Sequence, residues 1–334
     1  MHKPISFVLW NLENLFNPET GGPRKDYTPE RGWTWERFDQ KLRRLERVFN
    51  AMPLENGIDL LGIVEVDDEK VIQRLIKKCL GLENYAYVTC SDMNTDNLDC
   101  ALIYRKNRFS LKKFETITVL SRYPKGDILF ATLEEKSSGE EFLISINHWA
   151  SRLSGNAFSN SFRCTAAENL QSYLWRRAIE NEELEAGAKN LNIIVAGDFN
   201  DDPYSPSMME HLLATYDRQA VIEQDDENAV LLYNTVWKNL TQTPPGTLFY
   251  SGNRGSYWNL FDQIHLSKDL LCGKKWLYRE DSFRIFTEEV ADSTGRPLPC
   301  YYWDEEAGES RMRDGVSDHF PVYIILDYSA RRKR

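Results

Sequence analysis

A chain of 334 residues with 42% apolar and 12% aromatic residues can fill a sizeable core, and its 28% charged residues suit a soluble surface, so a disordered polymer is excluded. Its formal net charge of −10 excludes a globally positive field, and any polyanionic substrate has to be held by local basic groups or by metal. No apolar run approaches bilayer-spanning length, which predicts a soluble chain, cytoplasmic or exported with its leader already removed.

One large domain over residues 1–334 is expected, because α/β architectures reach this size as one unit. Ile5 to Trp10 reads as a mostly buried strand ending at Asn11-Leu-Glu-Asn14. From Trp35, apolar Phe38, Leu42, Leu45, Phe49 and Met52 recur at three- and four-residue steps, the stripe of a long helix that Pro53 ends. Asp59 to Glu65 is a buried strand ending in a carboxylate, and a helix follows over Glu69 to Leu80.

Sheet is expected next at Tyr85 to Cys90, Asp99 to Tyr104, Ile128 to Glu134 and Glu141 to His148, the last two joined as a hairpin through Ser137-Ser-Gly139. Phe162 to Ile179 reads as an amphipathic helix and Asn192 to Ala196 as a strand whose exit loop is Gly197-Asp-Phe-Asn200. Later strands are expected at Leu248 to Ser251, Phe261 to Leu266, Phe283 to Phe286 and Phe320 to Leu326, with a long polar loop over Ala291 to Arg313. Six scattered cysteines form no CxxC pair; their even number permits disulfides without requiring them.

Asn11, Glu65, His148, Asp198, Asn200, Asp262, Asp318 and His319 each lie at or just past the end of an expected strand. Oxygen donors gathered at strand ends suit a hard cation: Mg²⁺, Mn²⁺ or Ca²⁺. Zinc fits less well, since none of the five histidines belongs to an HExxH motif. Singly, each residue also has an ordinary reading: Glu65 as a helix-start charge, Asp198 as an Asx turn or cap, Ser317-Asp318-His319 as a strand entry. No GxSxG elbow offers a nucleophilic serine.

In this order the segments Leu9-Trp-Asn11-Leu-Glu-Asn14, Ile63-Val-Glu65, Ile146-Asn-His148-Trp, Ala196-Gly-Asp198-Phe-Asn200, Phe261-Asp262-Gln-Ile264 and Ser317-Asp318-His319 resemble the endonuclease/exonuclease/phosphatase superfamily, the DNase I-like metal-dependent phosphoesterases. The resemblance implies a four-layer α/β sandwich, two packed and mainly antiparallel sheets flanked by helices. It also implies Mg²⁺ as cofactor and hydrolysis of a phosphate ester by activated water. A phosphodiester or nucleic acid is the first substrate expectation and a small or lipid-linked phosphomonoester the second. A non-catalytic binding module on the same scaffold is disfavoured by retention of the whole motif set.

By the same resemblance Glu65 is the principal metal ligand, with Asn11 beside it and Asp318 completing the site. Asp198 orients and deprotonates water, Asn200 holds that water or a phosphate oxygen, and His319, fixed by Asp262, stabilises charge on the phosphoryl group. His148 either protonates the leaving oxygen or donates to the phosphate. Arg152 and Arg163 read equally as phosphate contacts or solvated surface, and Trp149, Tyr257 and Trp258 as base-stacking or core residues. The superfamily's phosphate-binding tyrosine has no assigned counterpart, although Tyr104 lies nearby in sequence. Nothing in the sequence requires an obligate protein partner.

Overall fold

The computed structural model describes residues 2–21, 27–90, 99–119, 127–152, 155–184, 191–224, 229–252, 255–304 and 309–329. β1 (Ile5–Leu15) is nearly all buried and runs past the expected Trp10 to Leu15, so Asn11 lies inside the strand. α1 (Trp35–Ala51) starts where Thr34 accepts from the Arg37 backbone, and it buries Phe38, Leu42, Leu45, Val48 and Phe49 together with Lys41. β2 (Leu60–Val66) leads to α2 (Glu69–Leu75), capped by Asp68 and prolonged by a wider turn over Ile76–Leu80.

Antiparallel β3 (Tyr85–Thr89) and β4 (Asp99–Arg105) follow, then β5 (Phe109–Thr118), β6 (Asp127–Glu135) and β7 (Glu140–His148). β5 was not expected: as an edge strand most of its residues are exposed, so no buried apolar run marks it. α3 (Asn156–Leu184) begins six residues before the expected Phe162 and ends five beyond Ile179. β8 (Asn192–Asp198) is buried throughout. After it come β9 (Ala214–Thr215), α4 (Arg218–Glu223), β10 (Leu232–Asn234), the hairpin β11 (Leu248–Gly252) and β12 (Gly255–Asn259), β13 (Asp262–Leu266) and α5 (Asp269–Cys272). β14 (Trp276–Tyr278) and β15 (Arg284–Ile285) precede β16 (Tyr301–Asp304) and β17 (Glu309–Met312), a hairpin inside the stretch expected to be loop; β18 (Val322–Tyr328) completes the first sheet.

One sheet has the order β14-β18-β1-β2-β4-β3, with β15 also on β18; the other runs β5-β6-β7-β8-β13-β10-β9. Most pairs are antiparallel, with β1–β2, β7–β8 and β9–β10 parallel. Three buried clusters match a helix–sheet–sheet–helix stack. Phe7, Leu9, Leu102, Ile144, Ile146, Ile194 and Ile264 lie between the sheets. Val8, Trp10, Leu42, Leu45 and Ile63 lie under α1 and α2, while Phe130, Ala167, Leu170, Leu174 and Val195 lie under α3. The sheets approach so closely at Gly62 that a Cβ there would sit 2.6 Å from Ile146 Cδ1. All six cysteines are free thiols.

Candidate active site

Opposed sheets bring the ends of β1, β2, β7 and β8 and the starts of β13 and β18 to one edge of the sandwich. The pairings Asp198 with Asp262 and His148 with Asp198 align three of the expected site residues across neighbouring strands. Glu65 sits at a register break between Val64 and Val66 with φ 61°, a bulge that re-aims its carboxylate off the regular ladder. Asn11 Nδ2 donates to Glu65 Oε1 and to Asp198 Oδ2, both at 3.0 Å, joining a carboxylate from each sheet.

Asp198 makes the Asx turn that its sequence allowed, and its second oxygen is turned to the cleft. Its Oδ1 accepts the Asn200 backbone N–H at 2.9 Å in an Asx turn, while Oδ2 faces Asn11, His319 Nε2 at 3.8 Å and His148 Nε2 at 4.0 Å. Asn200, with φ 51°, donates its side-chain amide to Trp149 O, leaving its Oδ1 without a hydrogen bond to any described residue. His148 Nε2 also lies 3.7 Å from Glu65 Oε1.

His319 Nδ1 and Asp262 Oδ2 are 2.7 Å apart, both side chains buried. Burial disfavours charge on His319, but the carboxylates of Asp262, Asp198 and Asp318 outweigh it and push the imidazole well above its ordinary value. Burial, then the charges of Glu65 and Asp198, raises Asp318 to about 6 against the opposing pull of His319 and Lys41. Asp318 accepts no hydrogen bond from a described residue. Four carboxylates thus share this cleft with only two imidazoles, an excess of negative charge that suits a bound cation.

The two candidate arginines are held by carboxylates of the loop after Asp198. Arg163 is wholly buried, its Nε 2.7 Å from Asp201 and its other nitrogens on Ala150 O, Ser159 and Asn156. Arg152 pairs with Asp201 and Asp202 and lies over Phe261. Both guanidiniums are thus engaged by carboxylates, and together they brace the loop after Asp198. Tyr104 pairs with Leu60, at the end of β2 remote from Glu65, and is not the missing tyrosine. Trp149 packs edge-on against Phe199 in the core, and half-buried Trp258 stacks on Phe320 at the core's margin; Tyr257 is 46% exposed on the β11–β12 hairpin.

Sequence reasoning missed Glu13 and Lys41. Both are buried ionisable side chains bonded to backbone, and the signal was present: Lys41 interrupts the apolar stripe of α1 and Glu13 falls inside the Asn11–Asn14 motif. Burial, then the charge of Asp318, raises Glu13 to about 8, opposed by Lys41 and two backbone N–H donors.

A helix-flanked pair of sheets whose strand ends gather carboxylates, amides and imidazoles in one cleft is the architecture of a hydrolytic phosphoesterase. The family profile described as Endonuclease/Exonuclease/phosphatase matches residues 6–328, and the chain belongs to that family. Nocturnin of Mus musculus is 28% identical over 214 residues, 60% of this chain but 44% of that protein, so the chain spans less than half the length of the curated relatives it matches. Among solved structures, an endonuclease/exonuclease/phosphatase family protein from Bacteroides thetaiotaomicron superposes with TM-score 0.59 at 17% identity, covering 98% of this chain and 100% of that one. A mannosyl-6-phosphatase from the same organism gives TM-score 0.57 at 19% identity over 96% and 99% of the two chains. At such identity these structures share the fold. Family members generally use a divalent metal, and Glu65, His148 and Asp198, like Asp198, Asp262 and His319, offer ligand atoms within 4.8 Å of one another. No helix among the described residues is long and apolar enough to cross a membrane.

Proposed function

We propose that this chain hydrolyses a phosphodiester, as in a nucleic acid, at the Asn11–Glu65–Asp198–His319 cleft, using water and a hard divalent cation, Mg²⁺ first. The observation that carries the reading is the convergence of Glu65 and Asp198 on one Asn11 amide, with two imidazoles within 4.0 Å of Asp198 Oδ2. The oxygen-rich donor set fits Mg²⁺ better than zinc: Glu65 and Asp318 would hold the ion, with Asn11 beside Glu65. When bound, the ion supplies charge stabilisation for the phosphoryl oxygens.

Asp198 Oδ2 orients the attacking water and takes its proton, while Asn200 Oδ1 accepts from the same water. His319, held charged and oriented by Asp262, donates to a phosphoryl oxygen as charge develops there. His148, on the other side of Asp198, gives a proton to the departing oxygen.

A phosphomonoester is the second reading. The −10 net charge and the internal pairing of Arg152 and Arg163 weigh against a long polyanion. A panel of nucleic acids, small phosphodiesters, lipid phosphates and inositol and sugar phosphates, assayed with Mg²⁺ and with EDTA, tests both. Turnover only of monoesters would overturn the first reading, and no metal-dependent turnover of any would overturn both.

A further inference from the structure

Beyond the cleft side chains, the chain devotes two buried ionisable side chains, Glu13 and Lys41, to the backbone that carries them. Glu13 and Asn14 are consecutive non-glycine residues in the left-handed region, with φ 48° and 51°. Such a conformation is costly and persists where the surroundings over-determine it. Lys41 Nζ, from the buried face of α1, donates to Leu12 O at 2.6 Å and Glu13 O at 2.8 Å. The Glu13 carboxylate accepts the backbone N–H groups of Cys300 at 2.6 Å and Tyr301 at 3.0 Å. The turn so fixed sends two N–H groups to cleft residues: Glu13 N–H to Asn11 Oδ1 at 2.9 Å and Asn14 N–H to Glu65 Oε2 at 2.8 Å.

Glu13 N–H leaves the Asn11 amide nitrogen facing Glu65 and Asp198, and Asn14 N–H fixes one oxygen of Glu65. Neither the Glu13 carboxylate nor the Lys41 ammonium hydrogen-bonds to or pairs with those carboxylates. Both side chains are at most 4% exposed, so solvent does not screen their hold.

We propose that Glu13 and Lys41 are positioning residues that set the metal affinity of the Asn11–Glu65 cradle and couple it to the chain segment at Cys300 and Tyr301. The inference rests on the proposed metal-dependent reading. Coupling of this kind is reciprocal: if the latch tightens metal binding, bound metal tightens the latch.

The test uses the full chain and direct Mn²⁺ and Mg²⁺ titration by calorimetry, without substrate. Glu13→Gln and Lys41→Met are expected to weaken metal binding about tenfold to a hundredfold, the range for groups that orient ligands from behind. Turnover at saturating metal should return towards the parent value, and Lys41→Arg should restore part of the affinity. Val221→Ala, a buried change on α4, serves as the control for general destabilisation. Metal affinity in both variants equal to that of the Val221→Ala control would overturn the proposal. Should the variants fail to fold, amide exchange on the unaltered protein decides: saturating Mg²⁺ should slow exchange at Cys300 and Tyr301, and unchanged exchange would overturn it. If the unaltered protein binds neither ion, the metal reading itself fails, an outcome distinct from intact binding with an inert latch.

Discussion

Asn11 and Asp198 meet at 3.0 Å across the junction of the two sheets, β1 supplying the amide and β8 the carboxylate. The same Asn11 nitrogen reaches Glu65, so one side chain registers the proposed metal cradle against the proposed water-activating group. Catalysis by water attack requires that relation to hold to within a fraction of an ångström.

Asp198→Asn is therefore expected to lower turnover by about a hundredfold or more at saturating Mg²⁺, since it removes the charge aimed at water while keeping volume. Asn can still accept the Asn200 N–H, so the Asx turn and thermal stability should change little. Glu65→Gln should act instead through metal affinity and recover partly at higher Mg²⁺. Steady-state kinetics with thermal melts of both variants separate the roles; near-parental turnover of Asp198→Asn would remove it from the mechanism.

Chelation gives a second expectation. EDTA-treated protein should lose turnover and regain it with Mg²⁺ or Mn²⁺, and melting temperature should rise with added ion, because a ligand that binds only the folded state stabilises it. Full turnover of metal-free protein would sink the hard-cation reading. Stoichiometric zinc held through His148 or His319 would contradict the roles proposed for those imidazoles.

Arg163→Met distinguishes a structural from a substrate-binding guanidinium. Buried at 2.7 Å from Asp201, Arg163 should cost about 3–5 kcal/mol of unfolding free energy when removed, the range for breaking a buried pair from one side. Urea denaturation measures this directly. Unchanged stability with a raised KM would return Arg163 to the phosphate-contact role.

The motif residues were legible because strand-end polar groups after buried apolar runs stand out: Ile63-Val64-Glu65 and Ala196-Gly197-Asp198 each combine both signals. Strands without an apolar run were not legible. β5 faces solvent along much of its length, and the short β16–β17 hairpin sets the aromatic run Tyr301-Tyr302-Trp303 against Ser310-Arg311-Met312 within the otherwise polar, charge-rich Ala291–Arg313. The partners of Arg152 and Arg163 were hidden for another reason: Asp201 lies 49 residues from one and 38 from the other, and sequence cannot show which charges fold together. Lys41 was visible as a break in an apolar stripe, but its carbonyl partners on β1 become apparent only when α1 docks.

The last expectation concerns acid stability. His265, fully buried on β13 with its ring edge-on to Phe199, is held down to about 3 because burial disfavours the charged ring, with backbone hydrogen bonding opposing weakly. In the unfolded chain the same ring titrates near about 6.5. Between those values the unfolded state binds a proton that the folded state does not, so this contribution is complete above pH ~6.5 and is lost as pH falls towards ~3, with a slope of at most about 1.4 kcal/mol per pH unit. His265→Leu keeps an apolar side chain of similar size and cannot titrate. Its stability relative to the parent should therefore improve steadily as pH is lowered from 6.5, whatever its offset at pH 7. Urea denaturation of both proteins at several pH values from 7.5 to 4.5 measures that difference. Parallel curves across the range would show that the imidazole takes up its proton within the folded protein, and that burial there does not hold it neutral.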